Sequence, residues 1–424
     1  MPNSLPDTIP DDPALWPDFL SLGAFGGRLT GTPGEIAARD WAAKRLATIH
    51  PGGVSREATP YVGWTCSDAR VLLLPVGEPL EANVLLCCGD TPPEGLDVEV
   101  IDCGRGTPED IRGVGARLTG RAALVRHDYM FGADTVHRRL KLDAAIAAGA
   151  AAFLIAAPEP GLGAVSGSAG MTTAARRIPA VGISAEAAAK LTAVSKPRVR
   201  FHIASKFWTD AKTETLILDL PGAGPDRVVL SAHIDGHAAG ESALDNATGV
   251  ALALSLARRL APYCSALPRG LTLCLFSAEE WALTGSKVWL AGLSEEQRRQ
   301  MVFNLNLDTV TGGSQLTALT SGFTRLGAFA ARAATAAGVP LGVHLPLMSN
   351  SDHANFAAWG IPALRLVSGF DEPTSKVRLL LTKHDTRDLV APDDFHAPAR
   401  VAWAILTATL MASPDALAAL RATD

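Results

Sequence analysis

The chain holds 424 residues, enough for two or three domains of about 150 residues each. Its 38 Lys and Arg against 43 Asp and Glu leave a formal charge of −5, which argues against nucleic acid as the main partner. Hydrophobic residues at 48% and charged residues at 19% exclude a disordered chain, and 39 Gly with 28 Pro fall short of a low-complexity composition.

The opening segment, MPNSLPDTIPDDPALWPDFL, has neither an early basic residue nor an apolar run, so no secretory signal is expected. Residues 34–49 carry apolar positions at helical spacing after the turn Gly31-Thr32-Pro33-Gly34, which predicts an amphipathic helix. From about residue 65 to 200, short Val/Leu/Ile runs (71–75, 83–88, 98–101, 122–126, 151–156) alternate with Gly- and Pro-containing turns. With one Ala-rich helix at about 138–149, this reads as a compact, mainly β module. The uncharged run 144–157 is too short to span a bilayer and reads as a buried helix leading into a strand, so no membrane partner is expected. Cys66, Cys87, Cys88, Cys103, Cys264 and Cys274 form no CxxC pair and read as buried free thiols in a reducing compartment. The expected location is cytoplasmic.

A third segment opens at about residue 212. Residues 228–234 and 271–276 are near-continuous apolar runs, and 302–307 and 361–367 are weaker ones, as suits strands buried on both faces of a mostly parallel sheet. Helical patterns at about 246–260, 281–300, 324–337 and 395–412 lie between and after them. The alternation predicts an α/β sandwich. The expected organisation is 1–64 as the N-terminal part of a catalytic domain, 65–205 as an insert, and 206–424 as the rest of the catalytic domain.

The chemistry gathers at strand ends. One apolar run ends in His233-Ile234-Asp235, followed ten residues on by Asp245-Asn246; the next ends near Glu279-Glu280, and another at Asp308. His353 and His384 lie downstream. Open α/β sheets place ligands outside the carboxyl ends of their strands. Imidazole with carboxylates is a usual zinc ligand set. Asp235, two residues past His233, is placed to hydrogen-bond that imidazole and set its tautomer. The side chains of adjacent Glu279 and Glu280 diverge, so one is expected to bind metal and the other to act as a base. Taken singly, each feature also reads as a helix cap, a turn residue or a solvated acid; together they predict a metal site.

The segments HIDGH…ESALDNATG, SAEEWALTGS, LNLDTV, SDHANFAAWGIPAL and KHDTRD, in this order, resemble the M28 family of zinc aminopeptidases. The opening GGRLTGTPGEIAARDW resembles the start of these enzymes, and the matches cover roughly 20–60 and 212–412. The resemblance implies a phosphorylase/hydrolase-like three-layer α/β sandwich with a mixed, mostly parallel sheet, a peptide substrate and two zinc ions. It implies His233 and Asp308 on one zinc, Glu280 and His384 on the other, and Asp245 bridging. Glu279 would be the general base and Asp235 the partner of His233. The middle segment resembles a protease-associated domain in LTGRAALVRHD, LKLDAAIAAGAAAFLIA and RRIPAVGIS. Ala282 stands where the family usually has Gly, and Lys383 where an aromatic is usual. His353 reads equally as a substrate-lining residue or one that structures its loop, His237 as a loop residue, and Arg28 as a substrate, interdomain or helix-flank residue.

The implied activity is hydrolysis of the N-terminal peptide bond. A carboxypeptidase or a glutaminyl cyclase on the same scaffold is the first alternative, and a non-catalytic binding protein the second. The intact set of His233, Asp245, Glu279, Glu280, Asp308 and His384 favours hydrolysis.

Overall fold

A computed structural model describes residues 5–170 and 177–423. Residues 1–4 of the opening segment, and Arg176 at the head of RRIPAVGIS, lie outside the described residues. The chain divides into two compact units: residues 1–60, 212–380 and 385–424 form the first, and residues 61–211 with 381–384 the second. The chain passes between them along two long strands, Val54–Leu74 and Arg198–Leu220. Sequence periodicity missed most of both strands, because charged and exposed residues interrupt their apolar positions.

In the first unit, strands Met301–Leu307, Arg227–His233 and Gly270–Phe276 lie side by side and parallel, with Ala363–Ser368 parallel on the far side of Met301–Leu307. The end of Arg198–Leu220 pairs antiparallel with Gly270–Phe276, and Leu316–Leu319 pairs antiparallel with Ala363–Ser368. Every residue of Gly270–Phe276, Met301–Leu307 and Ala363–Ser368 is buried, which is why these strands read as mainly apolar runs, broken only by buried Asn304, Asn306, Arg365 and a few hydroxyl residues. The chain leaves Arg227–His233, adds Gly270–Phe276 on one side, then Met301–Leu307 on the other. Strand order therefore reverses about Arg227–His233, and a crevice opens at its carboxyl end.

Helices Thr248–Cys264 and His396–Met411 pack on Arg227–His233 and Met301–Leu307. Elsewhere, Val229, Cys274 and Phe276 join Trp289, Leu290 and Phe356 in one apolar cluster. Phe276, Trp289 and Phe356 form an aromatic triangle with centroids 5.8, 6.3 and 6.0 Å apart, each pair contributing about 0.5–1.5 kcal/mol beyond burial. That packing anchors the strand end from which Ser277–Glu280 departs. The helical stretch expected over 281–300 is two helices, Thr284–Gly292 and Glu295–Gln300. Ser294 breaks it by capping the second in a reciprocal box with Gln297.

In the second unit, strands Leu96–Asp102, Ala122–Arg126, Ala152–Ala156 and Ala180–Ile183 pair in that order, all parallel. Helices Pro108–Val114, Arg138–Ala147 and Ala185–Thr192 lie between or after them, so the module carries more helix than its texture suggested. The run 144–157 is indeed a helix end followed by a buried strand. Fully buried Lys141 donates to the carbonyls of Arg105 and Arg126 and to Asp128 Oδ1 at 2.7–2.9 Å. All three donors of the ammonium are thereby satisfied, and two of the quoted motifs are tied together. All six cysteines are free thiols. Burial pushes Cys87, Cys88 and Cys264 up to about 12, which leaves them inert. Among the described residues, no helix is long and apolar enough to cross a membrane.

Candidate metal centre

His233 ends the central strand and is 1% exposed. It pairs in register with Phe276, so the chain from Ser277 to Glu280 leaves the sheet beside it. Asp308 follows the neighbouring strand directly. Three strand ends thus deliver His233, Glu279-Glu280 and Asp308 to one place.

The tight turn carrying the two glutamates is held by Asp235 and Thr30. The Asp235 carboxylate accepts the backbone N–H groups of Glu279 at 3.2 Å and Glu280 at 3.3 Å, and the Thr30 hydroxyl at 2.7 Å. Thr30 Oγ1 in turn accepts the N–H of Ala278 at 3.1 Å. Glu35, from the same opening segment, accepts the Ser277 hydroxyl at 2.7 Å. The expected contact of Asp235 with the imidazole takes a different form. His233 Nδ1 lies 3.2 Å from the backbone carbonyl of Asp235 and 3.7 Å from its carboxylate. A carbonyl only accepts, so Nδ1 donates to it and the ring turns Nε2 toward Asp245 and Asp308.

Ala278, Ala282 and Leu283 in this turn all have positive φ. At Ala282 φ is +56°, the left-handed region where glycine carries no steric cost, which explains the departure noted in the sequence. Ala282→Gly is expected to raise stability by about 1 kcal/mol, read as a higher urea midpoint. An unchanged or lower midpoint would show that the turn holds no such strain.

The loop after His233 is gripped by Arg28, which has no exposed surface. Its guanidinium donates to the carbonyls of Ile234 (2.9 Å), Glu241 (2.8 Å) and Ser242 (2.8 Å). Burial pulls it down to about 10, with Asp385 and Asp235 opposing that shift, so it stays charged at neutral pH. Arg28 is therefore a structural bracket rather than a substrate residue. Gly27 beside it is required: a Cβ there would meet the His237 carbonyl at 2.6 Å. Asp385 accepts the N–H groups of Leu244 (2.7 Å) and Asp245 (3.3 Å), and burial raises its carboxyl to about 7. Asn246 ties the start of helix Thr248–Cys264 to the Leu307 carbonyl at 2.9 Å. Together these contacts aim Asp245 inward.

The resulting constellation is compact. His233 Nε2 stands 3.0 Å from Asp245 Oδ1 and 3.6 Å from Asp308 Oδ1. His233, Asp245 and Glu280 form one group able to share an ion, and His233, Glu279 and Asp308 another, with all ligand atoms in each group within 4.8 Å. Ligands about 2.0–2.1 Å from a tetrahedral zinc stand roughly 3.3 Å apart, so the spacing suits a shared cation. Glu280 Oε1 is buried without a hydrogen-bond partner, while Oε2 is 2.7 Å from His237 Nε2. An unpaired buried carboxylate oxygen is costly in an apolar interior and fits a missing cation.

The carboxyls differ in environment. Burial pushes Glu279 well above the usual range, with His233 opposing and Glu280 adding to the rise. Burial also acts on Asp308, but the Arg365 guanidinium, 3.1 Å from Oδ2, overrides it and holds Asp308 well below the usual range. The sequence did not single out Arg365, which points in from strand Ala363–Ser368 and is signalled only as a charge within a buried run.

Two expected residues belong to neither ligand group. His384 falls in the second compact unit, with Nε2 3.2 Å from the Gly161 carbonyl, and neither ligand group includes it. His353 opens helix His353–Ala358 with no exposed surface, and burial lowers its imidazole to about 3. A neutral, enclosed ring suits the loop-structuring reading. His237, read as a loop residue, lies in the loop after His233 and meets Glu280.

Residues 215–412 match the family model described as peptidase family M28, and residues 86–191 match the PA domain model. Aminopeptidase YwaD of Bacillus subtilis is 31% identical over 136 residues, 31% of this chain. The alignment spans only 29% of that relative's length. The solved structure of BSAP, a zinc aminopeptidase from Bacillus subtilis, superposes with a TM-score of 0.76 at 21% identity, covering 96% of this chain and 97% of that one. A glutaminyl cyclase from Porphyromonas gingivalis superposes less well, with a TM-score of 0.51 at 13% identity over 93% and 97% of the two chains. At such identities the structural likenesses establish the fold.

Proposed function

This chain belongs to peptidase family M28 through residues 215–412 and carries a PA domain over residues 86–191, and on that premise we propose that it is a zinc-dependent aminopeptidase. The observation that carries the reading is the imidazole and carboxylate constellation at the strand-order reversal, with a buried, high-pKa glutamate beside it. His233 and Asp308 would hold one zinc and Glu280 the other, with Asp245 between them. Two zinc ions so held would polarise both the scissile carbonyl and the attacking water. Glu279 accepts the proton that the water loses and passes it to the leaving amine. Its burial favours the protonated state in between, which matches that task. Asp235 and Thr30 position Glu279 through the backbone of its turn, and the Asp235 carbonyl at His233 Nδ1 orients the ring with Nε2 toward Asp245 and Asp308.

Electrostatics favour the amino end of a peptide over the carboxyl end. The site is lined by Asp245, Glu279, Glu280 and Asp308, which suit a cationic or metal-liganding α-amino group. The two guanidiniums that flank it, Arg28 and Arg365, are buried and committed to backbone carbonyls and to Asp308. Neither is presented to an α-carboxylate, so a carboxypeptidase is disfavoured.

The test is hydrolysis of a panel of short peptides, each with its N-terminus free or blocked, before and after chelation and zinc return. Cleavage of free N-termini alone, abolished by chelator and restored by zinc, is the expected result. Equal cleavage of blocked peptides would replace this reading with a carboxypeptidase. Ring closure of N-terminal Gln without hydrolysis would replace it with a cyclase.

A further inference from the structure

We propose that a cavity between the opening segment and helices Thr248–Cys264 and His396–Met411 is a binding site for a small apolar carboxylate. The proposal stands apart from the zinc reading above. The cavity holds about 440 Å³, within the range of small-molecule sites, which suits a ligand of about 10–15 non-hydrogen atoms. Ile9, Pro10, Leu15, Trp16, Phe395 and Ala399 supply its apolar walls. Ser255, on helix Thr248–Cys264 and 1% exposed, also lines it, and its Oγ is buried without a hydrogen-bond partner. A serine inside a helix ordinarily donates to the carbonyl four residues back. Here it does not, and a buried unpaired hydroxyl is costly until an acceptor arrives. One helical turn on, Arg259 Nε is likewise buried and without a hydrogen-bond partner.

The walls are held before any ligand enters. Trp403 Nε1 donates to the Pro6 carbonyl at 3.2 Å, and Asp12 pairs with Arg258 and, at 3.3 Å, with Arg259, so the strap between them is fixed at both ends. The Phe19 ring packs on Trp16 and Phe395 with centroids 5.2 and 5.6 Å apart, which locks the two aromatic walls. A site already ordered keeps more of its contact energy on binding. Charge selects an anion. Asp12 is matched by its two guanidiniums, and Asp18 by Arg258 at 2.7 Å and Arg45 at 3.1 Å. Asp11 and Arg400 also line the cavity, so three acids meet four guanidiniums and one positive charge is left over. Helix His396–Met411 starts at the cavity and adds the positive end of its dipole, which no side chain caps. A carboxylate is therefore favoured over an amine. Its oxygen accepts from the Ser255 hydroxyl, and its apolar body lies against Trp16 and Phe395.

The test is a saturation-transfer NMR titration of the full chain with 3-phenylpropionate, phenylalanine and 3-phenylpropylamine, repeated on S255A and A399W. Wild type is expected to bind 3-phenylpropionate with a Kd of about 0.1–1 mM, as suits a ligand of this size. A399W, which fills the cavity, should weaken it more than about tenfold. S255A, which removes only the hydroxyl, should weaken it about tenfold, and carries the comparison should A399W fail to fold. The amine should bind about tenfold more weakly than the acid, or worse. Phenylalanine binding as well as 3-phenylpropionate would make free amino acids the source of the carboxylate, and weaker binding would make it simple acids. No binding at about 10 mM, an amine as tight as the acid, or wild-type affinity in either variant would each overturn the proposal. None of these readings needs peptide turnover or zinc, so they are separable from the fate of the aminopeptidase reading.

Discussion

Glu279→Gln is expected to lower kcat by about 10²–10⁴-fold, the contribution typical of a positioned proton carrier, while both zinc equivalents remain. The amide matches the carboxylate in shape but accepts no proton at neutral pH. Nothing else in the turn needs to change. Glu279 is held by its backbone N–H on Asp235 Oδ1, and Ala278 by its N–H on Thr30 Oγ1, so the substituted side chain keeps the same origin. Peptide turnover and zinc content, measured on one preparation, decide the matter. Wild-type turnover would remove Glu279 from the reaction. Loss of a zinc equivalent would make it a ligand, which its grouping with His233 and Asp308 permits geometrically.

Arg28→Leu should destabilise the first unit by about 3–5 kcal/mol. The leucine leaves the carbonyls of Ile234, Glu241 and Ser242 without the donors they have now, and each buried unsatisfied acceptor costs about 1–3 kcal/mol before the loop relaxes. Zinc affinity should fall with stability, because those carbonyls frame the loop that runs from Asp235 to Asp245. Arg28→Lys, with three donors in a different geometry, should recover part of the loss. Denaturant titration followed by tryptophan fluorescence, with zinc binding in parallel, measures both. An unchanged midpoint and affinity in the leucine variant would show that the bracket contributes nothing to either.

The candidate site was legible in the sequence to the extent that it lies at the ends of buried strands. Strands covered on both faces are written as mainly apolar runs, and the acids and His at their ends mark the sheet's carboxyl edge. His233, Glu279-Glu280 and Asp308 were found that way, and the motif resemblance added Asp245 and the M28 family. Local chemistry also made the opening segment visible, though not its work. Thr30, Glu35 and Arg28 act on residues more than two hundred positions away, on Asp235, Ser277 and the 234–242 loop.

What lay beyond the sequence shares a physical cause. Past the last strand residue, side-chain direction is set by hydrogen bonds from remote segments rather than by any local period. His237 and His384 are equally good ligands as residue types. Hydrogen bonds from Arg28 and Ser242 hold the loop that sets His237 against Glu280, and His384 Nε2 lies at the Gly161 carbonyl. Arg365 is one charge in an otherwise apolar strand until the parallel register with Met301–Leu307 sets it against Asp308. The sequence by itself determined the class of fold, the family resemblance and the pool of candidate ligands, because burial and motif spacing are written along the chain. The tertiary structure alone decided which of those ligands meet, because that depends on contacts between residues the chain keeps far apart.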